Sequence, residues 1–378
     1  MRDVVVLGAG LHRFGRFPDK SLPEMGREAI KNALDDSGVP FKDIEVAYTG
    51  RVLAGMGAGL SVVSELGQTG IPVINIEMAC ASSTSAFREA YLSVANGVYD
   101  TALVVGFEKM QRGMLQISES ASYGTVMGLS VMPASYALLA QRYMADHEAT
   151  PEMFASVSVK SHKNGALNPY AQYQKEVSLE EVMGSRMISD PITLLQCSPT
   201  TDGASAVVLC AADHAAKYGA RRSMTVAGWA TGSGKYQAGG DDEGDAETGG
   251  GEVERLARIA FDRAGLGPED VDVTQVHDAF SPGEIFTIEG LGLVGEGEGA
   301  RAVWEGRTAI DGDIPVNTDG GLLSRGHPIG ATGAAMVAEI FRQLTGEAGP
   351  RQVKDGDAKV GLIHNAGIGG VNVLVFKR

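Results

Sequence analysis

The chain has 378 residues, of which 44% are hydrophobic, 21% charged and 6% aromatic, which is the makeup of an ordinary globular protein. Its 47 acidic and 32 basic residues give a formal net charge of −15, which argues against nucleic acid or an anionic membrane surface as the main partner. No apolar run reaches about 18 residues and no signal segment is recognisable, so we expect no membrane span and a cytoplasmic location.

The chain begins with a strand followed by glycines. The β-branched run at 2–7 predicts the strand, and Gly8 and Gly10 follow it. A dinucleotide-binding fingerprint needs a third glycine three residues after the second and a helix that begins there. The next glycine is Gly15, so we do not expect a nucleotide-binding fold of that type.

Cys80 lies where a predicted strand changes into a predicted helix. The apolar run at 72–76 predicts a buried strand, and after Cys80 the apolar residues recur at helical spacing until Gly97 can end the helix. The neighbours of Cys80 are mostly alanine, serine and threonine, too small to cover it. Because a helix N-terminus favours a thiolate, this position predicts a nucleophile; a buried packing cysteine is the alternative. Cys197 and Cys210 are expected to be packing residues, and the three cysteines suit neither a disulfide framework nor a metal site.

The first helix and second strand recur in the second half of the chain. A helix that Gly38 ends, and a strand at 43–48, follow the first strand. The same pattern returns 227 residues later, where Gly265 takes the place of Gly38, and the offset grows to about 258 for the last strands. This period indicates two homologous α/β halves, at 1–220 and 221–378, each with a sheet and right-handed crossovers.

The first half contains an insertion at about 107–200, in which helices are predicted at 134–147 and 151–163. Methionines stand among its glycines and serines, and they either fill the core or line an acyl pocket: Met110, Met114, Met127 and Met132. Between the halves, the acidic, glycine-rich run at 232–251 predicts a mobile loop without the spacing of an EF-hand calcium site.

Three of the seven histidines stand in glycine-rich corners of the second half. His277 ends a predicted strand at 271–276, His327 precedes a helix, and His364 follows a predicted strand at 359–363. Each alone could be a structural histidine. All three, however, are predicted at the carboxyl ends of strands, in the half of the chain that repeats the Cys80 half. This common placement indicates a functional site instead.

A cysteine with such histidines can transfer an acyl group through a thioester. Cys80 would attack a thioester carbonyl and a nearby imidazole would take the thiol proton. Imidazole N–H groups directed at the carbonyl oxygen would stabilise the enolate or oxyanion, by about 3–4 kcal/mol per donor.

At these residues the chain resembles the thiolase superfamily, specifically the sterol-carrier-protein type of thiolase. The resemblance rests on the glycine-rich run 326–333 with Asn317 upstream, on Cys80 in its setting, and on His-Asp-Ala-Phe at 277–280 and His-Asn-Ala-Gly at 364–367. It implies an α/β fold of two βαβαβαββ halves in five αβαβα layers, with a loop domain inserted in the first. It also implies a coenzyme A thioester as substrate, no permanently bound cofactor or metal, and homodimers or tetramers.

The resemblance implies Cys80 as the acylated nucleophile, His327 as its activator, and His277 and His327 as oxyanion donors. Thiolases also need a second acid/base, normally a cysteine, to move the α-proton. Here the two positions where relatives carry it hold His364 and Ala279. His364 is a hypothetical substitute, and the remaining Cys-His-His set resembles that of decarboxylating ketosynthases.

Three functions therefore stay open. The first is a CoA-thioester acyltransferase, an acyl-CoA C-acetyltransferase of lipid or sterol side-chain metabolism. The second is a retro-aldol lyase on steroid-like CoA thioesters that works with a small OB-fold partner subunit, and the third is a non-catalytic acyl-CoA-binding subunit. Arg221 and Arg222 are candidates for the CoA phosphates by charge alone.

Overall fold

A computed structural model describes residues 1–111, 131–219, 222–234, 250–368 and 370–378. Met114, Met127, Arg221 and most of the predicted acidic loop lie outside the described residues. Among the described helices, none combines the length and apolar character needed to cross a membrane.

The described residues form eleven strands and ten α-helices. The strands are β1 (Val4–Leu11), β2 (Val46–Gly50), β3 (Val73–Ile76), β4 (Thr101–Glu108), β5 (Met187–Ser189), β6 (Ile192–Thr193), β7 (Gly203–Ala211), β8 (Met224–Gly232), β9 (Val273–Gln275), β10 (Val360–Gly367) and β11 (Gly370–Lys377). The helices are α1 (Leu22–Ser37), α2 (Ala58–Ser64), α3 (Ser82–Ala95), α4 (Met132–His147), α5 (Pro151–Ala166), α6 (Leu179–Gly184), α7 (Gly250–Ala264), α8 (Ser281–Gly290), α9 (Gly299–Trp304) and α10 (Thr332–Thr345).

The sheet topology confirms the internal repeat. Nine strands follow the order β3-β2-β4-β7-β1-β8-β11-β10-β9. In each half, parallel strands lie at the outer edge and antiparallel strands at the centre, where β1 meets β8. Thus β1, β2, β4 and β7 correspond to β8, β9, β10 and β11. The counterpart of β3 is reduced to one bridge between Thr274 and Val316.

The helices and sheet form the expected five layers. α1 packs on β1 and β7 from outside, and α7 packs on β8 and β11 in the same way. α3 and α10 pack against each other between the halves, where α10 contacts strands of both. The apolar core divides accordingly into one cluster under α1, one under α7, and a central cluster around α3 and α10. The site residues come from these two central helices and the strand ends around them.

Two predicted boundaries in the first half were wrong, and β3, which the sequence predicted to be buried, is partly exposed. β1 continues through Gly8 and Gly10, because these glycines allow α1 to lie on the strand: a side chain on Gly10 would collide with the backbone of Ala29 and Ala33. The strand predicted at 43–48 is a 3₁₀ turn at Phe41–Asp43 followed by β2. The predicted helices of the insertion are present as α4 and α5.

Candidate active site

Cys80 occupies a tight turn between β3 and α3, as predicted. Ala79 before it has φ 43°, a left-handed conformation that is strained for a residue with a side chain. The turn is closed by the Ala81 amide, which donates to the Met78 carbonyl at 2.9 Å, and by the Ser82 hydroxyl, which donates to the Ala79 carbonyl at 2.6 Å. The backbone therefore determines where the Cys80 thiol points.

The expectation that Cys80 is left uncovered was wrong, because its side chain is only 5% exposed. Small neighbours in sequence leave it open locally, but Met110, Ile329 and Val52 from other parts of the fold pack around it. The thiol is thus enclosed by apolar side chains, where charge–charge and hydrogen-bond interactions are stronger than in water.

His327 is held by two threonines. Its backbone amide donates to Thr201 Oγ1 at 3.0 Å, and its ring Nδ1 lies 2.7 Å from Thr332 Oγ1 on the first turn of α10. The Thr332 hydroxyl also reaches the Pro328 carbonyl at 3.1 Å. These contacts leave Nε2 as the ring atom that faces the site.

His277 lies just beyond β9, where one asparagine holds the neighbouring backbone and another contacts the imidazole ring. The Asn317 Oδ1 accepts a hydrogen bond from the Val276 amide at 2.9 Å and so holds the chain next to His277. The ring Nδ1 lies 3.1 Å from Asn365 Nδ2. The buried Nε2 has no hydrogen-bond partner within the described part of the chain.

Cys80, His277 and His327 come together in one buried group. The thiol sulfur and one ring nitrogen of each histidine all lie within 4.8 Å of one another. The two imidazole centroids are 5.2 Å apart and the ring planes meet at 79°. The two repeat halves therefore form one site together: the first half contributes the nucleophile, and the second half contributes both imidazoles.

His364 is not part of this group. On β10, His364 is paired with Val373 and Asn365 with Asn372. Asn365 and Asn372 face α3, where both contact Thr84. Because side chains alternate along a strand, His364 faces the opposite apolar layer, and neither of its ring nitrogens has a hydrogen-bond partner among the described groups.

Asn365, the next residue, reaches the site instead, and the sequence interpretation did not identify it. The available signal was the alternation of β10. Only one of two consecutive side chains on a strand can face the central helices.

Burial keeps the histidines neutral. Desolvation, helped by the positive charge of Arg325, lowers the pKa of His327 to about 3. The pKa of His277 is held well below its usual value, mainly by desolvation. Charge–charge interactions with His327, His364 and Arg325 lower it further. Desolvation also lowers the pKa of His364 to about 4. At neutral pH each ring therefore carries one proton and can accept another only transiently.

Arg325 is the buried cation that adds to the lowering of the pKa of His277 and of His327. Its side chain is 1% exposed and pairs with Asp319 through Nη1, while Nε and Nη2 have no hydrogen-bond partner among the described groups. Asp278, next to His277, accepts a hydrogen bond from the Leu322 amide at 2.7 Å, but burial raises the pKa of its carboxyl well above the usual range.

A thiolate and two imidazoles are also donors that zinc accepts. Metal-bound histidines usually donate their other N–H to a carboxylate or a carbonyl. Here those second nitrogens face the Thr332 hydroxyl and the Asn365 amide. The contacts fit an acyl-transfer site better than a metal centre.

The other predicted residues lie elsewhere. Arg222 pairs with Asp36 at 2.5 Å and with Glu347. It precedes β8 at the end of the sheet opposite the carboxyl end of β10, roughly 25 Å away at about 3.3 Å per residue. Its two ion pairs do not favour a contact with CoA phosphates, and that assignment stays a prediction from its charge. Burial raises the pKa of the Cys197 and Cys210 thiols to about 12 and about 11, as expected for packing residues.

Comparisons with known proteins agree with this architecture. Residues 4–213 match the family described as "Thiolase, N-terminal domain" and residues 247–375 match "Thiolase C-terminal domain-like". The chain is 41% identical to an acetyl-CoA acetyltransferase of Methanothermobacter thermautotrophicus, with 97% of each chain covered. It is 36% identical to human sterol carrier protein 2, covering 100% of this chain and 72% of that protein. It is also 36% identical to the benzoylsuccinyl-CoA thiolase subunit BbsB of Thauera aromatica, covering 97% and 95%.

Two solved structures are similar along almost their whole length. The Ltp2-ChsH2(DUF35) aldolase has a TM-score of 0.86 at 25% identity, covering 99% of this chain and 97% of that one. Human mitochondrial 3-ketoacyl-CoA thiolase has a TM-score of 0.75 at 16% identity, covering 100% and 99%, which shows the shared fold. From its two repeat halves, its five layers and these matches, the chain belongs to the thiolase family.

Proposed function

We propose that this protein is a CoA-thioester acyltransferase of the thiolase type, active in lipid or sterol side-chain metabolism through an acyl-enzyme on Cys80. The observation that carries the proposal is the buried group in which the Cys80 sulfur and nitrogens of His277 and His327 lie within 4.8 Å of one another. The 41% identical acetyl-CoA acetyltransferase supports the same reaction class.

The first half-reaction follows from these three residues. His327 Nε2 accepts the thiol proton as the Cys80 sulfur bonds to the thioester carbonyl carbon, and the carbonyl oxygen gains negative charge. His277 stabilises that oxygen by hydrogen bonding. The bond to the CoA sulfur then breaks, and CoA leaves as a thiol with the proton from His327. Free CoA reverses these steps.

Carbon–carbon bond formation needs one further catalytic group, a second acid/base. A base must remove the α-proton of the second acyl-CoA, and Ala279 stands where the sterol-carrier type carries a cysteine for this purpose. We leave His364 out of the proposed catalytic group, because it faces the layer away from Cys80. The acyl-transfer half-reaction is thus the part that these residues support.

The lyase is the second candidate, favoured by the likeness to the Ltp2-ChsH2(DUF35) aldolase at a TM-score of 0.86. In this alternative the protein cleaves an acyl-CoA side chain by retro-aldol chemistry with a small OB-fold partner subunit. The name of the benzoylsuccinyl-CoA thiolase subunit also points to a multi-subunit relative. The lyase would release an aldehyde or ketone without free CoA, and Cys80 would be dispensable.

A homodimer is part of the proposal. β3 is the last strand of the sheet on the Cys80 side, so its outer edge has no strand partner among the described residues. Ile74 in its middle is 40% exposed, and an exposed apolar edge favours pairing with another chain. A cytoplasmic location stays a prediction from the sequence.

The first experiment is to incubate the protein with acetyl-CoA and longer acyl-CoAs and to locate any mass increase by peptide mass spectrometry. We expect an adduct on the Cys80 peptide that free CoA removes. Cys80→Ala should abolish it, whereas Cys197→Ala should retain it, because the Cys197 thiol donates to the Thr193 carbonyl at 3.5 Å and lies outside the buried group.

Other outcomes separate the alternatives. Thioester binding without an adduct, together with ketone or aldehyde release, would favour the lyase. Binding without turnover, with or without a partner subunit, would favour the non-catalytic subunit. Stoichiometric zinc in the purified protein, with adduct formation restored by its removal, would identify a metal centre that competes for the same atoms.

A further inference from the structure

The two ring nitrogens of His277 have different surroundings. Nδ1 lies 3.1 Å from Asn365 Nδ2, whereas the buried Nε2 has no hydrogen-bond partner in the described part of the chain. The neutral ring holds one hydrogen, so its tautomer decides whether Nε2 donates or accepts. Only the donor form could stabilise a negatively charged carbonyl oxygen beside Cys80.

The Asn365 amide is held from its far side by a chain of hydrogen bonds. Asn372 Nδ2 donates to Thr84 Oγ1 at 3.0 Å and to Ser85 Oγ at 3.0 Å. The single hydrogen of the Thr84 hydroxyl lies within reach of Asn365 Oδ1 at 2.8 Å and of the Ala81 carbonyl at 2.9 Å. In this arrangement the carbonyl oxygen of Asn365 faces α3 and its NH₂ group faces His277.

We propose that Asn365 is a positioning residue that selects the His277 tautomer with hydrogen on Nε2. An NH₂ group can only donate, so the Nδ1 it faces must accept, and the single hydrogen of the neutral ring is on Nε2. That N–H then points into the space shared with Cys80. The catalytic meaning of this tautomer rests on the proposed function, but the tautomer itself does not.

His327 is held in the complementary way. Its Nδ1 faces Thr332 Oγ1 at 2.7 Å, and the Thr332 hydroxyl can donate to the Pro328 carbonyl at 3.1 Å. The threonine oxygen then accepts from Nδ1–H, which leaves a lone pair on Nε2. Asn365 and Thr332 thus give two chemically identical rings opposite duties, one as a donor to oxygen and one as an acceptor of the thiol proton.

The direct test is the ¹⁵N NMR spectrum of the full-length protein labelled at its seven histidines. The His277 signals are assigned by their loss in His277→Gln. We expect an unprotonated Nδ1 and a protonated Nε2 at neutral pH in the unmodified protein. The opposite pattern, or an average of the two, would overturn the proposal without any measurement of activity.

Two neighbouring residues on α3, each with a side-chain hydroxyl, allow a test variant and a matched control. Both Thr84 and Ser85 contact Asn372, but of the two only Thr84 contacts Asn365. Thr84→Val should therefore mix the His277 tautomers, and Ser85→Ala should leave them unchanged. Equal effects of the two variants would count against Asn365 as the selecting group.

Asn365 variants supply a kinetic readout. Asn365→Ala should slow acylation of Cys80 about 10- to 100-fold, the range known for removing the partner that orients a metal-bound histidine. In Asn365→Asp the new carboxylate accepts a hydrogen bond from His277 Nδ1–H, so a neutral ring has no hydrogen on Nε2. Only the imidazolium, which has a hydrogen on both nitrogens, could then donate from Nε2. We therefore expect this variant to be active at low pH and to lose activity as pH rises and the ring becomes neutral. If the unmodified protein shows the expected tautomer but forms no adduct, the proposed function fails and the tautomer assignment stands.

Discussion

Gly367, the last residue of β10, lies directly against the backbone of Cys80. A methyl group on its Cα would come within 2.9 Å of the Cys80 amide nitrogen and would collide with the Met78 carbonyl. The end of a second-half strand thus supports the strained turn that presents the first-half nucleophile.

Gly367→Ala should therefore impair both stability and activity. We expect a loss of about 1–3 kcal/mol in the free energy of unfolding, because the added methyl overpacks the turn, and slower acylation as Cys80 moves. Urea unfolding and adduct formation measure the two effects. Gly184→Ala is the matched control: nothing lies within 4 Å of its added methyl, so it should be neutral or slightly stabilising. A Gly367→Ala variant with unchanged kinetics would contradict the support we assign to this contact.

His364→Leu tests the placement of that histidine. The unfolded chain binds a proton at His364 below about pH 6.5, whereas the folded protein, with a pKa of about 4, does not. His364 therefore reduces stability as pH falls, by up to about 1.4 kcal/mol per pH unit between the two pKa values. We expect the free energy of unfolding of the variant to exceed that of the unmodified protein by an amount that grows as pH falls from about 6.5 to about 5.5. Urea unfolding at several pH values measures this difference.

The same variant should still form the Cys80 adduct. His364 contacts the apolar layer with Leu362 and Val373, and leucine suits those neighbours. If the folded variant is acylated normally but loses condensation and thiolysis, His364 would be restored as the second acid/base.

Ala279→Cys tests what the site lacks. Ala279 is buried in the central apolar cluster around α3 and α10, two residues after His277. The family resemblance implies that position 279 is where relatives carry the second acid/base. If so, the added thiol should raise the rate of acetoacetyl-CoA thiolysis, while the rate of Cys80 acylation changes little. Ala279→Ser, similar in size and a poor base, is the control. No gain with cysteine would mean that another group already moves the α-proton.

Arg325→Met tests the buried cation. The substitution leaves Asp319 buried with the Gly321 amide at 3.0 Å but without its ion-pair partner, which costs about 3–5 kcal/mol when such a pair is broken. The double variant with Asp319→Asn should recover part of that loss in urea unfolding. Loss of the positive charge should also raise the pKa of His327, measured by NMR titration; an unchanged pKa would show that burial alone lowers it.

Local patterns in the sequence predicted much of this molecule. The alternation of apolar residues, the glycine at each helix end and the internal repeat predicted the two halves and the turn at Cys80. The helix and strand patterns depend on residues within a few positions of one another, and the repeat is the same local pattern found twice. The structure confirms them because each half folds around the same helix and strand units.

The contacts that organise the site depend on tertiary structure. Asn365 reaches His277 across 88 positions and Thr84 across 281, and Cys80 is buried by residues from other elements. His364 and Asn365 are adjacent in sequence, yet the pairing of β10 with β11 turns one away from the site and the other toward it. The sequence by itself determined which residues could do the chemistry. The packing of two strand ends and two central helices decided which of them meet, because the direction of a side chain depends on which neighbours its strand pairs with.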